Sequence, residues 1–95
     1  MTIAIAVQPY IMIERVVANL TQKTTIVQHE LSLFETKITS SQHEFLLQNV
    51  YDMSYKIISG EEGFLYVHTN QGVYAFHVRT DPSTFILAYR SLSYQ

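Results

Sequence analysis

The clearest structural signal lies in Gly63-Phe64-Leu65-Tyr66-Val67-His68-Thr69-Asn70-Gln71-Gly72-Val73-Tyr74-Ala75-Phe76-His77-Val78-Arg79. Two apolar runs, rich in β-branched and aromatic residues, flank Asn70-Gln71-Gly72. This pattern predicts a hairpin with a three-residue loop in which Gly72 takes a positive φ. In that register Val67 faces Ala75 on a mainly aliphatic face, and the other face is aromatic. Because neither face is polar, we expect the hairpin to be covered on both sides and central.

A helix is predicted directly after this hairpin, over about residues 82–92. Asp81 can accept hydrogen bonds from free backbone N–H groups as the N-cap, and Pro82 fits the first helical position. Phe85, Ala88, Tyr89 and Leu92 fall on one face at helical spacing. A helix this short is marginal in isolation, so we expect it to dock on an apolar surface.

The residues before the hairpin read as further strands. In residues 50–58, Tyr51, Met53, Tyr55 and Ile57 alternate with polar residues, which predicts a strand with one solvated face. Residues 60–63 form a Gly-bounded acidic loop. Runs 24–30, 31–40 and 44–48 predict more strands, with turns at 21–23 and 40–42.

The first twenty residues are less clearly patterned. Ile3–Val7 predicts a short edge strand that ends where Pro9 removes a hydrogen-bond donor. Residues 10–20 alternate as a strand does, but their apolar residues also fit one face of a helix. Their β-branched content favours the strand.

The totals describe one small domain that spans residues 1–95. Of these residues 47% are hydrophobic and only 15% are charged, which argues against disorder and gives enough apolar surface for a core. The fold class is therefore mainly β: a small antiparallel barrel or sandwich of about seven strands, capped by one C-terminal helix.

The apolar pattern of residues 31–92 resembles the bacterial pleckstrin-homology-like (PH-like) proteins. The resemblance is carried by Phe45-Leu46-Leu47-Gln48-Asn49-Val50-Tyr51-Asp52-Met53-Ser54-Tyr55-Lys56, by the 64–78 hairpin with Gly72, and by the Phe85-containing helix. It implies seven strands in two bent sheets with a helix closing one end. It also implies a scaffold that binds a partner without catalysing a reaction.

Charge and cysteine content exclude several functions. The formal net charge of −2 gives no overall attraction to nucleic acid or to anionic lipid. No cysteine is present, so disulfides and thiol catalysis are excluded, and a cytoplasmic location fits. The apolar run 2–7 is too short and too interrupted for a signal peptide or a membrane span.

The basic residues do not form a phosphate-binding pattern. They are spread along the chain, and Lys23 alone lies in the turn where PH-like domains that bind inositol phosphates gather cations. The six are Arg15, Lys23, Lys37, Lys56, Arg79 and Arg90. Several cations or backbone N–H groups must converge on a phosphate, so the sequence argues against phosphoinositide binding.

No residue set indicates catalysis or metal binding. The four histidines, His29, His43, His68 and His77, lack metal-ligand spacing, and in the predicted register His68 and His77 lie on opposite faces. Glu61-Glu62 are adjacent in a loop and Asp52 stands alone, so no paired carboxylates are indicated. We therefore assign no catalytic, cofactor-binding or metal-binding residues and expect no enzyme activity.

Aromatic residues raise the question of nucleic-acid binding. Tyr51, Tyr55, Tyr66 and Tyr74 lie on predicted strands, where they could stack with bases, but the sequence offers no basic groove for the phosphate backbone.

The remaining hypothesis is a non-enzymatic protein-interaction or scaffold module that binds a protein partner or associates with itself. The alternative is a small-molecule or lipid-binding barrel with an apolar cavity between the C-terminal helix and the 64–78 hairpin.

Overall fold

A computed structural model describes residues 3–18 and 21–93 of the chain. It contains seven strands, one α-helix and a 3₁₀ turn: β1 (Ala6–Ala18), β2 (Thr21–Leu33), β3 (Lys37–Thr39), β4 (Glu44–Leu46), the 3₁₀ turn (Leu47–Asn49), β5 (Val50–Ser59), β6 (Glu62–Thr69), β7 (Gly72–Val78) and α1 (Ser83–Ser93). The prediction of a mainly β chain with about seven strands and a C-terminal helix is confirmed.

The strands form one antiparallel sheet in the order β4-β3-β2-β1-β7-β6-β5. The sheet curls, so that buried side chains from its two ends meet in one core. Within residues 3–18 and 21–93, no ladder joins the outermost strands β4 and β5. The sheet is therefore open, as in a sandwich, and does not form the closed barrel that the sequence also allowed.

β1 and β2 form a long two-stranded ribbon. All thirteen residues of β1 pair with β2, from Ala6↔Leu33 to Ala18↔Thr21. Residues 10–18 are therefore strand, as their β-branched content favoured, while residues 19–20 lie outside the described part. The prediction that Pro9 ends a separate edge strand is wrong, because the β1–β2 register continues through the Pro9↔Glu30 pair.

Two predicted breaks in this region were also wrong. Residues 21–23 are the first part of β2, not a turn, because they pair with residues 16–18 of β1. β2 also continues through residues 30 and 31, and the chain bends only at residues 34–36, before β3. Polar residues such as Thr and Gln suit a strand that is solvated on both faces as well as they suit a turn.

The 64–78 hairpin lies inside the sheet, as predicted, but its register differs by one residue. Thr69 pairs with Gly72, so the loop has two residues, and Val67 faces Tyr74 instead of Ala75. Gly72 does take a positive φ of 125°. The buried face consequently mixes aliphatic and aromatic residues: Leu65, Val67, Phe76 and Val78.

β5 is an edge strand whose alternation is broken at both ends. The register with β6 shifts between Val50 and Asp52 and again between Ile57 and Ser59. The first irregularity buries Val50 and leaves Tyr51 exposed. The predicted apolar face of β5 therefore contributes Met53 to the core, while Tyr51 and Ile57 face solvent.

α1 covers the core between β1 and β5. Asp81 accepts a hydrogen bond from the Ser83 N–H at 2.9 Å, as predicted. The Pro82 carbonyl accepts the first helical hydrogen bond, from Ile86, so Pro82 itself occupies the cap position. Phe85 and Tyr89 are almost fully buried, and the Tyr89 hydroxyl donates to the Val50 carbonyl at 2.9 Å.

Among the residues that the structure describes, no helix combines the length and the apolar character needed to cross a lipid bilayer.

Candidate interaction surface

The ribbon has a core-facing side and an outer side because side chains alternate along a strand. Gln8 and Tyr10 of β1, with Leu31 and Leu33 of β2, are buried in the protein interior. The intervening residues point the other way. We call these the outer face: Val7, Pro9, Ile11, Ile13, Arg15 and Val17 of β1, with Gln22, Thr24, Ile26, Gln28, Glu30 and Ser32 of β2.

The far half of the ribbon projects from the rest of the molecule. β1 and β7 share a single residue pair, Ile11↔His77, and beyond it the two strands diverge. We call residues 13–18 and 21–26 the arm, because β1 there pairs with β2 alone. Every side chain that the structure describes in the arm is exposed. The arm accounts for a long molecular axis, 53 Å against 32 and 27 Å.

On the near side of the Ile11↔His77 pair, a side-chain hydrogen bond joins β1 to the chain just after β7. The buried amide of Gln8 donates to the Thr80 hydroxyl at 3.0 Å and lies 3.3 Å from the Thr80 carbonyl. We call residues 6–12 of β1 and 27–33 of β2 the root of the ribbon, and this contact secures the root to the chain just after β7.

The arm carries apolar side chains on its outer face. Ile13 and Ile26 are directly paired across the two strands and are 59% and 52% exposed, and Val17 is 72% exposed. Val7, in the root, is also exposed, whereas Ile11 between Gln28 and His77 is buried. The Ile13↔Ile26 pair and the nearby Val17 form an exposed apolar strip, and exposed apolar patches often mark contact surfaces.

Two charges lie on the outer face, Arg15 and Glu30, in the part of the ribbon that the structure describes. Glu30 pairs with Pro9, so the two charges are six residue positions apart, about 20 Å along the strands. They cannot reach each other, and neither forms an ion pair within residues 3–18 and 21–93. The outer face thus combines an apolar strip with one cation and one anion, both available to a partner.

Three of the other basic residues lie beside separate carboxylates. Lys37 lies 3.4 Å from Glu44, Arg90 lies 3.4 Å from Asp52, and Arg79 lies 3.8 Å from Glu62. Each of these cations is thus matched by a nearby carboxylate, and they do not converge on one pocket.

The histidines are also separated, although one prediction about them was wrong. His68 and His77 lie on the same face of their hairpin because of the one-residue change in register. They are still four positions apart along the ladder. His68 contacts the Ser54 hydroxyl at 2.9 Å, and His77 lies 3.7 Å from Glu62. In the described residues, no group of three or more metal-ligating side chains could hold a metal ion.

The four tyrosines have different surroundings, and Tyr66 lies beside the Phe64 ring, with centroids 6.3 Å apart. Tyr51 is exposed in the β5 irregularity, and the Tyr55 hydroxyl donates to the Glu61 carbonyl. Tyr74 packs against His43 and Phe45, with ring centroids 5.1 and 4.9 Å away.

Two pKa shifts have structural causes. Hydrogen bonds from the Ser83 side chain and backbone lower the pKa of Asp81. Partial desolvation, followed by the negative charges of Asp81 and Glu61, raises the pKa of the Tyr55 phenol. Asp81 therefore stays ionised as a hydrogen-bond acceptor for Ser83, and Tyr55 stays a neutral hydrogen-bond donor. Both shifts reflect local structure at the helix start and the β5–β6 turn.

The cavities are either smaller than a typical ligand site or lie away from the predicted site between the C-terminal helix and the 64–78 hairpin. A cleft of about 140 Å³ opens where β1 and β7 diverge, which is smaller than the roughly 300–1,000 Å³ of typical ligand sites. Two cavities that α1 lines measure about 510 and 370 Å³. Both lie against β5, and neither is lined by the 64–78 hairpin.

Sequence reasoning missed the outer face, although a signal was present. Apolar residues occupy the odd positions 3, 5, 7, 9, 11, 13 and 17, while the even positions 10, 12 and 16 are apolar too. A strand with apolar residues on both faces needs packing partners on both sides, and the fold provides them only on the core-facing side.

Comparison with known protein families, with curated proteins and with solved structures finds no match to this chain.

Proposed function

We propose that this chain is a non-enzymatic interaction module with a PH-like arrangement of strands, and that it binds protein through the outer face of the ribbon. The observation that carries the proposal is the exposed Ile13↔Ile26 pair, next to Val17 on a projecting arm. The order of seven strands followed by one helix agrees with the PH-like expectation. The lack of cysteine suits a reducing compartment such as the cytoplasm.

The energetics of the arm support this reading. Covering a half-exposed isoleucine contributes roughly 1 kcal/mol, and the outer face offers several such side chains. The arm stabilises the fold little, because its described side chains touch solvent on both faces. Ladder hydrogen bonds hold it in shape, so its apolar residues are preorganised for a partner and lose little entropy on binding.

A paired substitution tests the contact surface. Ile13→Thr with Ile26→Thr keeps β-branched residues in both strands but removes the apolar pair. The matched control is Ile57→Thr with Ile58→Thr, since Ile57 and Ile58 are 61% and 57% exposed on β5. Tagged wild type and both variants are incubated with cell lysate that also contains untagged wild-type chain at high concentration. Chemical cross-linking before washing preserves weak complexes, and the retained proteins are quantified by mass spectrometry.

The expected result is retention of defined protein, whether another chain or the untagged copy, by wild type and by the β5 control. The amount of protein that the arm variant retains should be at least about tenfold lower. Retention of nothing by the wild type, or equal retention by all three proteins, would refute the proposed function.

The small-molecule or lipid alternative has weaker support. The side chains that would line its cavity, among them Phe85, Tyr89 and Leu65, are buried together in one core. Native mass spectrometry of the purified chain is the direct test: a bound lipid or metabolite at stoichiometric occupancy would favour the alternative.

A further inference from the structure

We propose that the partner of the outer face is a second copy of this chain, stacked face to face in an antiparallel, two-fold arrangement. This inference rests on the proposed function and names its partner. It comes from the charge pattern of the outer face, because Arg15 and Glu30 are complementary to the same two residues in a rotated copy.

The stack is centred between Ile11 and Ile13. Two sheets pack about 10 Å apart with nearly aligned strands. When the second copy runs antiparallel about that centre, Val17 of one copy lies over Val7 of the other. Ile13 lies over the position of Ile11, which is itself buried between Gln28 and His77. Val17 of the arm thereby covers Val7, the exposed apolar residue in the root, and the Ile13↔Ile26 pair lies over the Ile11↔Gln28 pair.

The same arrangement places Arg15 over Pro9 of the second copy. Glu30 pairs with Pro9 on the neighbouring strand, so it lies beside that position, within reach of the long arginine side chain. The two-fold axis creates this contact twice. A parallel stack would instead set Arg15 against Arg15, which is unfavourable. The charges therefore select the antiparallel arrangement.

The size of the surface sets the expected affinity. From residue 7 to residue 17 the outer face is about 35 Å long, and two strands are about 10 Å wide, so its footprint is on the order of 350 Å². A standard interface buries about 800 Å² on each partner. We therefore expect a weak dimer that dissociates at low micromolar concentration.

Charge reversal provides a specific test. Arg15→Glu leaves two acidic residues on the outer face, and Glu30→Arg leaves two basic ones. Each variant alone should dimerise at least about tenfold more weakly than wild type, because both contacts become repulsive. An equimolar mixture of the two variants should form a heterodimer, since every contact is then between opposite charges.

Sedimentation equilibrium gives the dissociation constants, and native mass spectrometry identifies the heterodimer by its mass. Lys56→Glu and Glu61→Arg are matched controls, because they make the same charge changes at exposed positions elsewhere. Circular dichroism confirms that each variant is folded. We expect both controls to dimerise as wild type does.

Monomeric wild type at millimolar concentration would overturn the proposal, as would single reversals that dimerise normally or a mixture without heterodimer. These results are separate from the lysate experiment. Capture of a different protein through the arm, with no untagged copy retained, would preserve the proposed function and reject the second copy as the partner.

Discussion

The root and the arm of the β1–β2 ribbon share one continuous ladder but have opposite surroundings. In the root, Tyr10 and Leu31 are buried and Gln8 is bonded to Thr80. In the arm, the same register continues and every described side chain is exposed. Backbone pairing therefore extends this ribbon well beyond the region where core packing requires it. The root stabilises the fold, and the arm presents a surface.

Truncating one side chain in each half of β2 tests this comparison most strongly. Leu31→Ala removes a fully buried side chain, and we expect the free energy of unfolding to fall by about 2–5 kcal/mol. Ile26→Ala in the arm should lower it by less than about 1 kcal/mol. Urea unfolding at low micromolar concentration measures both, and equal losses would show that the arm is packed as tightly as the root.

Hydrogen exchange extends the comparison to the backbone. Because local opening of the arm uncovers no core, we expect protected amides in residues 21–26 to exchange at least about 100-fold faster than those in residues 29–33. Mass spectrometry of peptic fragments at low micromolar protein gives both rates. Similar protection in the two segments would contradict a separate arm.

Removing a tyrosine hydroxyl should change stability more in the core than at an exposed site. Tyr89→Phe leaves the buried Val50 carbonyl without the 2.9 Å hydrogen bond from the tyrosine, so unfolding should become about 1–3 kcal/mol easier. Tyr51→Phe, at an exposed tyrosine, should change stability by less than about 0.5 kcal/mol. Thermal unfolding of both variants is the measurement, and an unaffected Tyr89→Phe variant would argue against this bond.

The smallest expected effect lies at the exposed start of α1. Because the pKa of Asp81 is lowered in the folded protein, its carboxylate stabilises the fold at pH values above the ordinary pKa of 3.8. Asp81→Ala should therefore be less stable than wild type at pH 7. This difference should shrink as the pH falls through the lowered pKa of the folded protein.

Urea midpoints between pH 2.5 and 7 give that profile. Asp81→Asn is the control, since it keeps a side-chain acceptor without a titrating charge. A wild-type advantage over Asp81→Ala that stays constant down to pH 2.5 would exclude ionised Asp81 as its source.

Local signals predicted much of the fold. Pro82 and the spacing of Phe85 and Tyr89 gave the helix to within one residue, and Gly72 gave the hairpin turn. The register was predicted one residue out, because Asn70-Gln71-Gly72 fits loops of two and of three residues. The irregularity at Tyr51 was not predictable, since the alternation of β5 carries no sign of the shift.

The candidate surface was harder to predict, for a physical reason. An apolar residue at Ile13 or Val17 looks the same in sequence whether it meets the core or a partner. The outcome depends on where β7 stops pairing with β1, and contacts between distant parts of the chain decide that.

The single β1–β7 pair also has a consequence for the order of folding. β1 and β2 are neighbours along the chain and pair from Ala18↔Thr21 onward, and β5, β6 and β7 also pair with their sequence neighbours. Both units therefore arise from local contacts. Ile11 and His77 are 66 positions apart (77 minus 11), and joining them carries a larger loop-closure entropy. We therefore expect the ribbon and the β5–β7 meander to form first, with their docking as the slow step.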